Sequence, residues 1–400
     1  MKTKEQSLII FSLAFLSFTS VLPIDGYTPA LLCIKKYFQT TDHRLQLTLS
    51  IFMLTTGLGQ LLFGPLSDLY GRRKIAFTSI FIFVCSSFLY MYAESYSALL
   101  LSRFIQGVGA AGMGVLGITV VRDLYNNTNK IAKALGYITG GTAFSPTLTP
   151  LLQGYLASSF DWQATAPLFW ISGILAAFIA YGWLPETLPP AKRSEMDRKV
   201  LSAYKSILLN RSFFFYSVIS AISLATTFIF TSVSPHVFIR LLQQSTQTYT
   251  LYYTGYGILY VVSNFLAGYL CSIIHIDRVI LYGFLIAIAS SIGMFAWNYI
   301  SELSSLSFYI PMMGIIFGSV LCHVASISGA IEKFGNNAGT AVALNTAFRF
   351  IFISFIGMLV MSQDMQSVFP VSVALLLLSV VGISIFLCRN CVTRLDEVKS

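Results

Sequence analysis

Long apolar segments recur along the whole chain, and polar residues gather in the short stretches between them. A helix needs about 20 apolar residues to cross the hydrocarbon core of a bilayer. The segments that reach this length predict twelve transmembrane helices, six in each half of the chain. They cover residues 7–33, 45–66, 75–93, 97–121, 131–155, 163–184, 211–238, 250–272, 278–298, 303–325, 337–361 and 367–388.

The composition supports the same fold class. Of the 400 residues, 56% are hydrophobic and only 10% are charged, which no soluble fold requires. A stretch rich in proline and charge, Pro185 to Lys199, separates the two sets of spans. We therefore predict an all-α integral membrane protein with a six-helix bundle over 1–190, a cytoplasmic linker over 191–210, and a second six-helix bundle with a short cytoplasmic tail over 211–400.

The distribution of basic residues predicts the orientation. If the spans alternate in direction, 19 of the 25 Lys and Arg lie on the side of the two termini, and only Lys35, Lys36, Arg44 and Arg240 lie on the other. Basic residues of short loops stay cytoplasmic, so both termini are predicted to be cytoplasmic.

Other classes of function find little support in the sequence. The net charge of +9 is scattered over loops rather than interleaved with aromatic residues on one face, so no nucleic-acid partner is expected. The six Cys and four His form no ligand pattern, which predicts no metal site. No Walker loop or nucleophile elbow occurs, so the chain is not expected to be an enzyme.

Asp25 is the only one of the 16 acidic residues that lies inside a long apolar segment. A carboxylate at bilayer depth costs about 2.5–3.5 kcal/mol, and it therefore normally faces a partner or a water-filled cavity. Asp25 is thus predicted to belong to a functional site. The alternative is a structural carboxylate paired with a nearby arginine.

The loop between the second and third spans reads GPLSDLYGRRK, with Gly64, Asp68, Gly71, Arg72 and Arg73 as its characteristic residues. The glycines permit close backbone approach and tight turns. Asp68 can complement a helix N-terminus, and Arg72 lies at i+4 from it. This spacing resembles the signature loop of the major facilitator superfamily. The resemblance implies a conformational switch that latches the cytoplasmic side, and the alternative is a solvated basic loop.

The fourth span contains Arg103, Gln106, Gly107 and Gly109, which resemble the RxxQGxG element of the same superfamily. That family places the first and fourth helices around a central cavity, which implies an interaction between Arg103 and Asp25. We interpret these two residues as the proton-coupling pair. The glycines are expected to let helices pack closely.

The fifth span is similar to the glycine- and proline-rich antiporter motif, although Ser145-Pro146 and Gln153-Gly154 stand where that motif has its GP and GG pairs. Pro146 and Pro150 predict a kinked, gate-like helix because each removes a backbone hydrogen bond.

These elements, together with DGYTPAL from Asp25, Arg122-Asp123 and LPETL at Leu184 to Leu188, resemble the Bcr/CflA branch of drug:proton antiporters over most of residues 15–190. The resemblance implies a multidrug efflux antiporter of the bacterial inner membrane that exports small amphipathic compounds by alternating access. Its energy source would be the proton gradient, without a cofactor. We expect a monomer whose partners are a small-molecule substrate and the lipid bilayer.

The substrate cavity is less well defined by the sequence. Candidate lining residues are Tyr27, Asn264, His323, Asn345 and Arg349. Arg349 lies near the middle of the eleventh span, where a cation is expensive and where it can bind a carboxylate or phosphate bidentately. The alternative function is therefore import or export of a specific anionic or zwitterionic compound, such as a carboxylate siderophore or an amino-acid derivative. A structural role for Arg349, and a membrane receptor or scaffold that kept the fold, also remain open.

Overall fold

The computed structural model describes residues 3–125, 128–188, 204–332, 334, 338–361 and 367–399. Regular secondary structure in these ranges is helical throughout. The first half contains α1 (Thr3–Asp25), α2 (Leu31–Phe38), α3 (Asp42–Tyr70), α4 (Arg72–Met91), α5 (Tyr96–Leu124), α6 (Thr128–Ala143), α7 (Ser145–Ser159) and α8 (Ala166–Trp183). The second half contains α9 (Arg211–Pro235), α10 (Thr246–Ile273), α11 (Ile276–Ile300), α12 (Ser305–Ile331), α13 (Ala338–Met361) and α14 (Phe369–Lys399).

Hydropathy and length identify the membrane spans. Within the described residues, 11 helices are long and apolar enough to cross a bilayer. The segment over 131–155, predicted as one helix, is instead two shorter helices, α6 and α7, that meet at Phe144. Pro146 explains the interruption, because a residue without an N–H is tolerated in the first turn of a new helix but not in the interior of a continuous one.

Local sequence signals fix the other helix ends. Thr41 and Ser95 accept hydrogen bonds from the backbone N–H groups of Arg44 and Ala98, and thereby cap α3 and α5. Gly71 separates α3 from α4 with a φ of 97°, a conformation that favours glycine. Because these turns are short, successive helices follow one another directly.

The helices group into two compact units. The first comprises residues 1–202 with 246–257, and the second comprises 203–245 with 258–400. The first part of α10 therefore belongs with the N-terminal helices, which the division predicted from the sequence did not include. Most of the predicted linker, residues 191–203, lies outside the described residues.

Small residues allow close helix contacts within each unit. A Cβ placed on Gly107 would lie 2.6 Å from the carbonyl oxygen of Phe52 in α3, and one on Gly109 would lie 2.6 Å from the backbone nitrogen of Phe83 in α4. In the second unit, a Cβ on Gly318 of α12 would lie 2.3 Å from the carbonyl oxygen of Gly283 in α11. Gly107 and Gly109 thus let α5 approach two neighbouring helices at once.

Candidate functional site

Asp25 is the last residue of α1, and its side chain is buried. The Ser145 hydroxyl donates a hydrogen bond to Oδ2 at 2.7 Å. The Tyr253 hydroxyl donates to Oδ1 at 3.4 Å. Within the described residues no cation forms an ion pair with this carboxylate, so it is held by neutral donors from α7 and from the first part of α10.

The break between α6 and α7 brings a helix N-terminus to Asp25. Ser145 is the first residue of α7, with Phe144 in the N-cap position. The N-terminal end of a helix carries partial positive charge and favours a nearby anion. An ionised Asp25 is therefore stabilised by the dipole of α7 as well as by the serine hydroxyl.

Glycines close the space around this carboxylate. A Cβ on Gly26 would lie 2.7 Å from Cγ2 of Thr149, and one on Gly257 would lie 2.4 Å from the carbonyl oxygen of Pro146. The end of α1 and the first part of α10 therefore both pack directly on α7. Substitution of Gly26 would move the end of α1, which carries Asp25, away from α7. Substitution of Gly257 would move α10, which carries Tyr253, away from α7.

Arg103 of α5 is fully buried and lies between two aromatic rings. Its guanidinium carbon is 4.4 Å from the ring centroid of Tyr27 and 4.4 Å from that of Phe52. Nη1 donates to Oε1 of Gln106 at 2.6 Å, and Nη2 donates to the carbonyl oxygen of Pro23 at 3.1 Å. This carbonyl belongs to the last turn of α1, where backbone oxygens lack helical partners and a cation is favourable.

The predicted interaction between Asp25 and Arg103 is not present in this structure. Arg103 instead contacts the backbone of α1 two residues before Asp25, while the carboxylate faces Ser145 and Tyr253. The reason is that α1 ends at Asp25 and leaves the Pro23 carbonyl available, which accepts from the arginine in place of the acid. Tyr27, predicted to line the substrate cavity, is fully buried beneath Arg103 and bonds Thr48 at 2.8 Å.

The loop between α3 and α4 forms a network of ion pairs around the buried Arg72. Its Nη1 is 2.6 Å from Oδ1 of Asp68, as the i+4 spacing predicts. Its Nε donates to Oδ2 of Asp123 at 2.9 Å, and Thr187 donates to the same oxygen at 2.9 Å. Arg72 therefore joins the ends of α3 and α5.

Glu186 caps the N-terminus of α4. Its carboxylate accepts the backbone N–H groups of Arg72 at 3.0 Å and Arg73 at 3.3 Å. The sequence predicted such a role for Asp68, whose carboxylate instead pairs with the Arg72 side chain. The Arg73 guanidinium donates to the carbonyl oxygen of Tyr181 at 3.0 Å. Gly64 contributes its carbonyl oxygen, which accepts from Ser67 at 2.7 Å.

The second unit holds a separate polar cluster. Nη1 of Arg349 is 2.9 Å from Nε2 of His323, and Nη2 donates to Oγ1 of Thr346 at 2.8 Å. Asn345, one turn earlier on α13, donates from Nδ2 to the Ser217 hydroxyl at 2.9 Å. Asn264, another predicted cavity residue, bonds the carbonyl oxygen of Tyr260 in its own helix.

Several contacts of these sites were missed at the level of sequence. Ser145 and Tyr253 were not predicted as partners of Asp25, and neither Asp123 nor Glu186 was assigned a role at Arg72. One available signal was the stripe of Tyr249, Tyr252, Tyr253 and Tyr256 along α10, whose helical spacing places hydroxyl groups on one side. Within the described residues, no group of three or more His, Cys, Asp or Glu side chains is arranged to hold a metal ion.

Comparison with known proteins identifies the class. The chain matches the description Major Facilitator Superfamily over residues 13–358 and belongs to that superfamily, whose members are transporters rather than enzymes. A solved bacterial homologue of the human lysosomal transporter Spinster, in an inward-facing and occupied conformation, has a TM-score of 0.74 at 16% identity and covers 98% of both chains. That likeness shows the fold.

Relatives from bacteria support the resemblance to the drug antiporter branch. The chain is 27% identical to an uncharacterized MFS-type transporter, YdgK, of Bacillus subtilis over 95% of its length and 94% of the relative's. It is 24% identical to a bicyclomycin resistance protein homolog of Haemophilus influenzae over 92% of both chains. It is 26% identical to the multidrug resistance protein MdtL of Vibrio parahaemolyticus over 89% of this chain and 91% of the relative. The protein is a multi-pass transporter of the inner membrane with a small-molecule substrate.

Proposed function

We propose that this protein is a proton-coupled multidrug efflux antiporter, which exports small amphipathic compounds by alternating access and takes its energy from the proton gradient. The observation that carries the proposal is the buried Asp25 carboxylate, which is held by hydroxyl groups from two other helix segments and by no cation in the described part of the chain. A carboxylate in such surroundings can exchange a proton without breaking an ion pair. The bacterial relatives named for drug resistance support the same function.

Protonation of Asp25 would change the contacts around it. The ionised carboxylate accepts charge-assisted hydrogen bonds from Ser145 and Tyr253, and such bonds are about twice as strong as neutral ones. Adding a proton removes the charge and also removes the attraction to the N-terminus of α7. The packing of α7 against α1 and the first part of α10 would therefore be weaker in the protonated state. A proton that binds one conformation better than another shifts the equilibrium between them.

Arg103 acts in this proposal as a positioning residue. It fixes the last turn of α1 through the carbonyl oxygen of Pro23, and so places Asp25 opposite Ser145. The Arg72 network, with Asp68, Asp123 and Glu186, would serve as the switch on the cytoplasmic side. The interruption before Pro146 would be the moving point of the gate, because Pro146 has no N–H and cannot donate the backbone hydrogen bond that a continuous helix would have there.

The proposal also includes the membrane arrangement. The helices α6 and α7 together would form the fifth of twelve spans. The twelve spans would form two six-helix bundles, over 1–190 and 211–400. Both termini would lie in the cytoplasm. The excess of basic residues on the side of the termini supports this orientation. We propose that the protein works as a monomer in the lipid bilayer, without nucleic acid or a cofactor.

Proton movement in everted membrane vesicles tests the mechanism. After acidification of the vesicle interior, adding tetraphenylphosphonium or chloramphenicol to wild type should release protons, measured by acridine orange fluorescence. Asp25→Asn should abolish this release while the purified variant still binds the drug. Asp161→Asn is the matched control, since Asp161 is exposed in the same unit, and it should behave as wild type. Drug-dependent proton release by Asp25→Asn at the wild-type rate would contradict the proposal.

A second candidate function, transport of an anionic compound, is favoured by one specific observation. Arg349 lies within a span of the second unit, and its partners among the described residues, His323 and Thr346, are neutral. An anionic compound would supply the missing counter-charge.

A further inference from the structure

Arg349 lies at a depth in the membrane where a positive charge is energetically costly. It is the twelfth residue of α13, a helix of 24 residues, so it lies near the middle of the span. At a rise of about 1.5 Å per residue, this is roughly 17 Å from the start of the helix. A cation at such a depth normally pairs with an acid or lines a path for a charged ligand.

The described residues around Arg349 provide no negative charge. Residues 203–388 contain only four acids, namely Asp277, Glu302, Glu332 and Asp364. Asp277 is in the first turn of α11, where it accepts a hydrogen bond from the Tyr216 hydroxyl. Glu302 and Glu332 are exposed and lie just beyond helix ends. Asp364 lies outside the described residues. Within the described part of the chain, Arg349 forms no ion pair.

The contact with His323 fixes the state of the histidine. An arginine can only donate, so Nε2 of His323 must accept, and the ring is then neutral with its proton on Nδ1. That nitrogen lies 3.3 Å from the carbonyl oxygen of Ser220 in α9, which is the matching acceptor. The cluster of Arg349, His323 and Thr346 therefore carries one net positive charge.

Hydrogen-bonding capacity remains unused at this cluster. A guanidinium has five N–H donors, and the described residues accept only two of those on Arg349. Its Nε is buried and has no partner among the described residues. One turn away on the same helix, Oδ1 of the buried Asn345 likewise has no partner in the described part of the chain. Positions i and i+4 lie on one face of a helix, so Asn345 and Arg349 place an unfilled acceptor and unfilled donors on the same face of α13.

We propose that Arg349, His323 and Asn345 form a carboxylate-binding site in the second unit, and that the exported compounds include amphipathic carboxylates with an N–H or O–H donor beside the carboxylate, such as N-substituted amino acids. The inference rests on the proposed export function and defines one class of its substrates. The guanidinium binds the carboxylate, since its planar donors match two carboxylate oxygens. His323 orients the guanidinium from the other side, and Oδ1 of Asn345 accepts the ligand's donor.

Three dansyl compounds separate these contributions. N-dansylglycine has a carboxylate and a neighbouring N–H, N-dansylglycinamide replaces the carboxylate with an uncharged amide, and N-dansylsarcosine keeps the carboxylate but lacks the N–H. Their binding to the full-length protein in lipid nanodiscs is measured by dansyl fluorescence at neutral pH. Wild type should bind N-dansylglycine roughly 10- to 100-fold more tightly than the glycinamide, the range expected of charge-assisted hydrogen bonds. N-dansylsarcosine should bind about 3- to 10-fold more weakly than N-dansylglycine.

Variants assign the preference to the site. Arg349→Gln should reduce the ratio between acid and amide to about 1. Arg349→Lys retains the charge but loses the planar donors, so it should keep a ratio of only a few-fold. Arg278→Gln removes an exposed arginine at the start of α11 and should leave the ratio unchanged. Gel filtration of each variant in nanodiscs confirms that it is folded. If Arg349→Gln does not fold, the binding ratio of Arg349→Lys tests the site instead.

The outcomes distinguish this inference from the proposed antiport. Equal affinity of wild type for N-dansylglycine and its amide, or a preference that survives in Arg349→Gln, would overturn the carboxylate site. If drug-dependent proton release is intact in that case, the antiport stands without the site. An Arg349-dependent preference in a protein that shows no drug-dependent proton release would establish the site and overturn the antiport.

Discussion

The two units each carry an arginine within a membrane-spanning helix, and the surroundings of these two residues differ. Arg103 and Arg349 each donate two hydrogen bonds to neutral acceptors, and neither forms an ion pair within the described residues. Arg103 is fully buried between the rings of Tyr27 and Phe52, whereas Arg349 is half-buried and no aromatic ring lies over it in the described part of the chain.

Arg103 and Arg349 both lie within their helices and form the same number of hydrogen bonds in the described part of the chain, so neither depth nor hydrogen-bond number separates them. The difference is whether aromatic rings cover the guanidinium, and this decides whether the arginine can bind a ligand. Two aromatic faces attract the Arg103 guanidinium and cover both of its sides, so nothing else can reach it. This arginine belongs to the structure of its unit. Arg349 lacks that cover, and its positive charge is best satisfied by an anion that comes from outside the chain.

The largest expected effect is the loss of stability in Arg103→Leu. The substitution removes two cation–π contacts and leaves the Pro23 carbonyl and Gln106 Oε1 without their donor. We expect a destabilisation of about 3 kcal/mol or more, since each buried unsatisfied group alone costs about 1–3 kcal/mol. Equilibrium unfolding in mixed micelles of dodecyl maltoside and sodium dodecyl sulfate measures it. A variant as stable as wild type would show that the enclosure is not structural.

A smaller effect is expected when the ring of Tyr27 is removed. Tyr27→Leu should cost about 2–3 kcal/mol, because it takes away one face of the Arg103 enclosure and leaves a cavity. Tyr27→Phe is the matched control, since it keeps the ring and loses only the bond to Thr48, at about 1 kcal/mol. The same unfolding measurement compares the two. Equal losses would indicate that the hydroxyl, rather than the ring, holds this region together.

The smallest expected effect on stability is that of Arg349→Gln. Removing a half-buried charge that has no counter-charge among the described residues relieves its desolvation cost, while the glutamine amide can still donate to His323. The free energy of unfolding should therefore change by less than about 1 kcal/mol, or rise. A loss comparable to that of Arg103→Leu would remove the distinction between the two arginines and assign Arg349 to the fold.

Hydropathy and helix-end signals could predict most of the fold, because bilayer crossing depends on local composition. Eleven of the predicted spans correspond to apolar helices. Pro146 predicted a kink in the fifth span, but the interruption at Phe144 between two separate helices required the structure. The pair of Asp68 and Arg72 was predictable because the two residues are only four positions apart, on either side of the tight turn at Gly71.

The surroundings of Asp25 could not be predicted in the same way. Ser145 and Tyr253 are 120 and 228 residues away along the chain, and their contacts depend on how whole helices pack. The same applies to Glu186, which reaches the start of α4 across 114 residues. The sequence indicated that Asp25 and Arg103 lie within membrane spans, and both side chains are buried. The expected closeness of the first and fourth spans, however, did not determine which atoms of Asp25 and Arg103 form hydrogen bonds with which partners.

The uncompensated charge of Arg349 also bears on the electrical work of transport. Exchange of a monovalent cation for one proton moves no net charge across the membrane. Export of a monovalent carboxylate in exchange for one proton moves two positive charges inward, and the membrane potential then contributes about 4.6 kcal/mol per 100 mV. A protein that binds anions at Arg349 and protons at Asp25 would therefore draw on the voltage of the membrane for one class of compound and on the pH difference alone for the other.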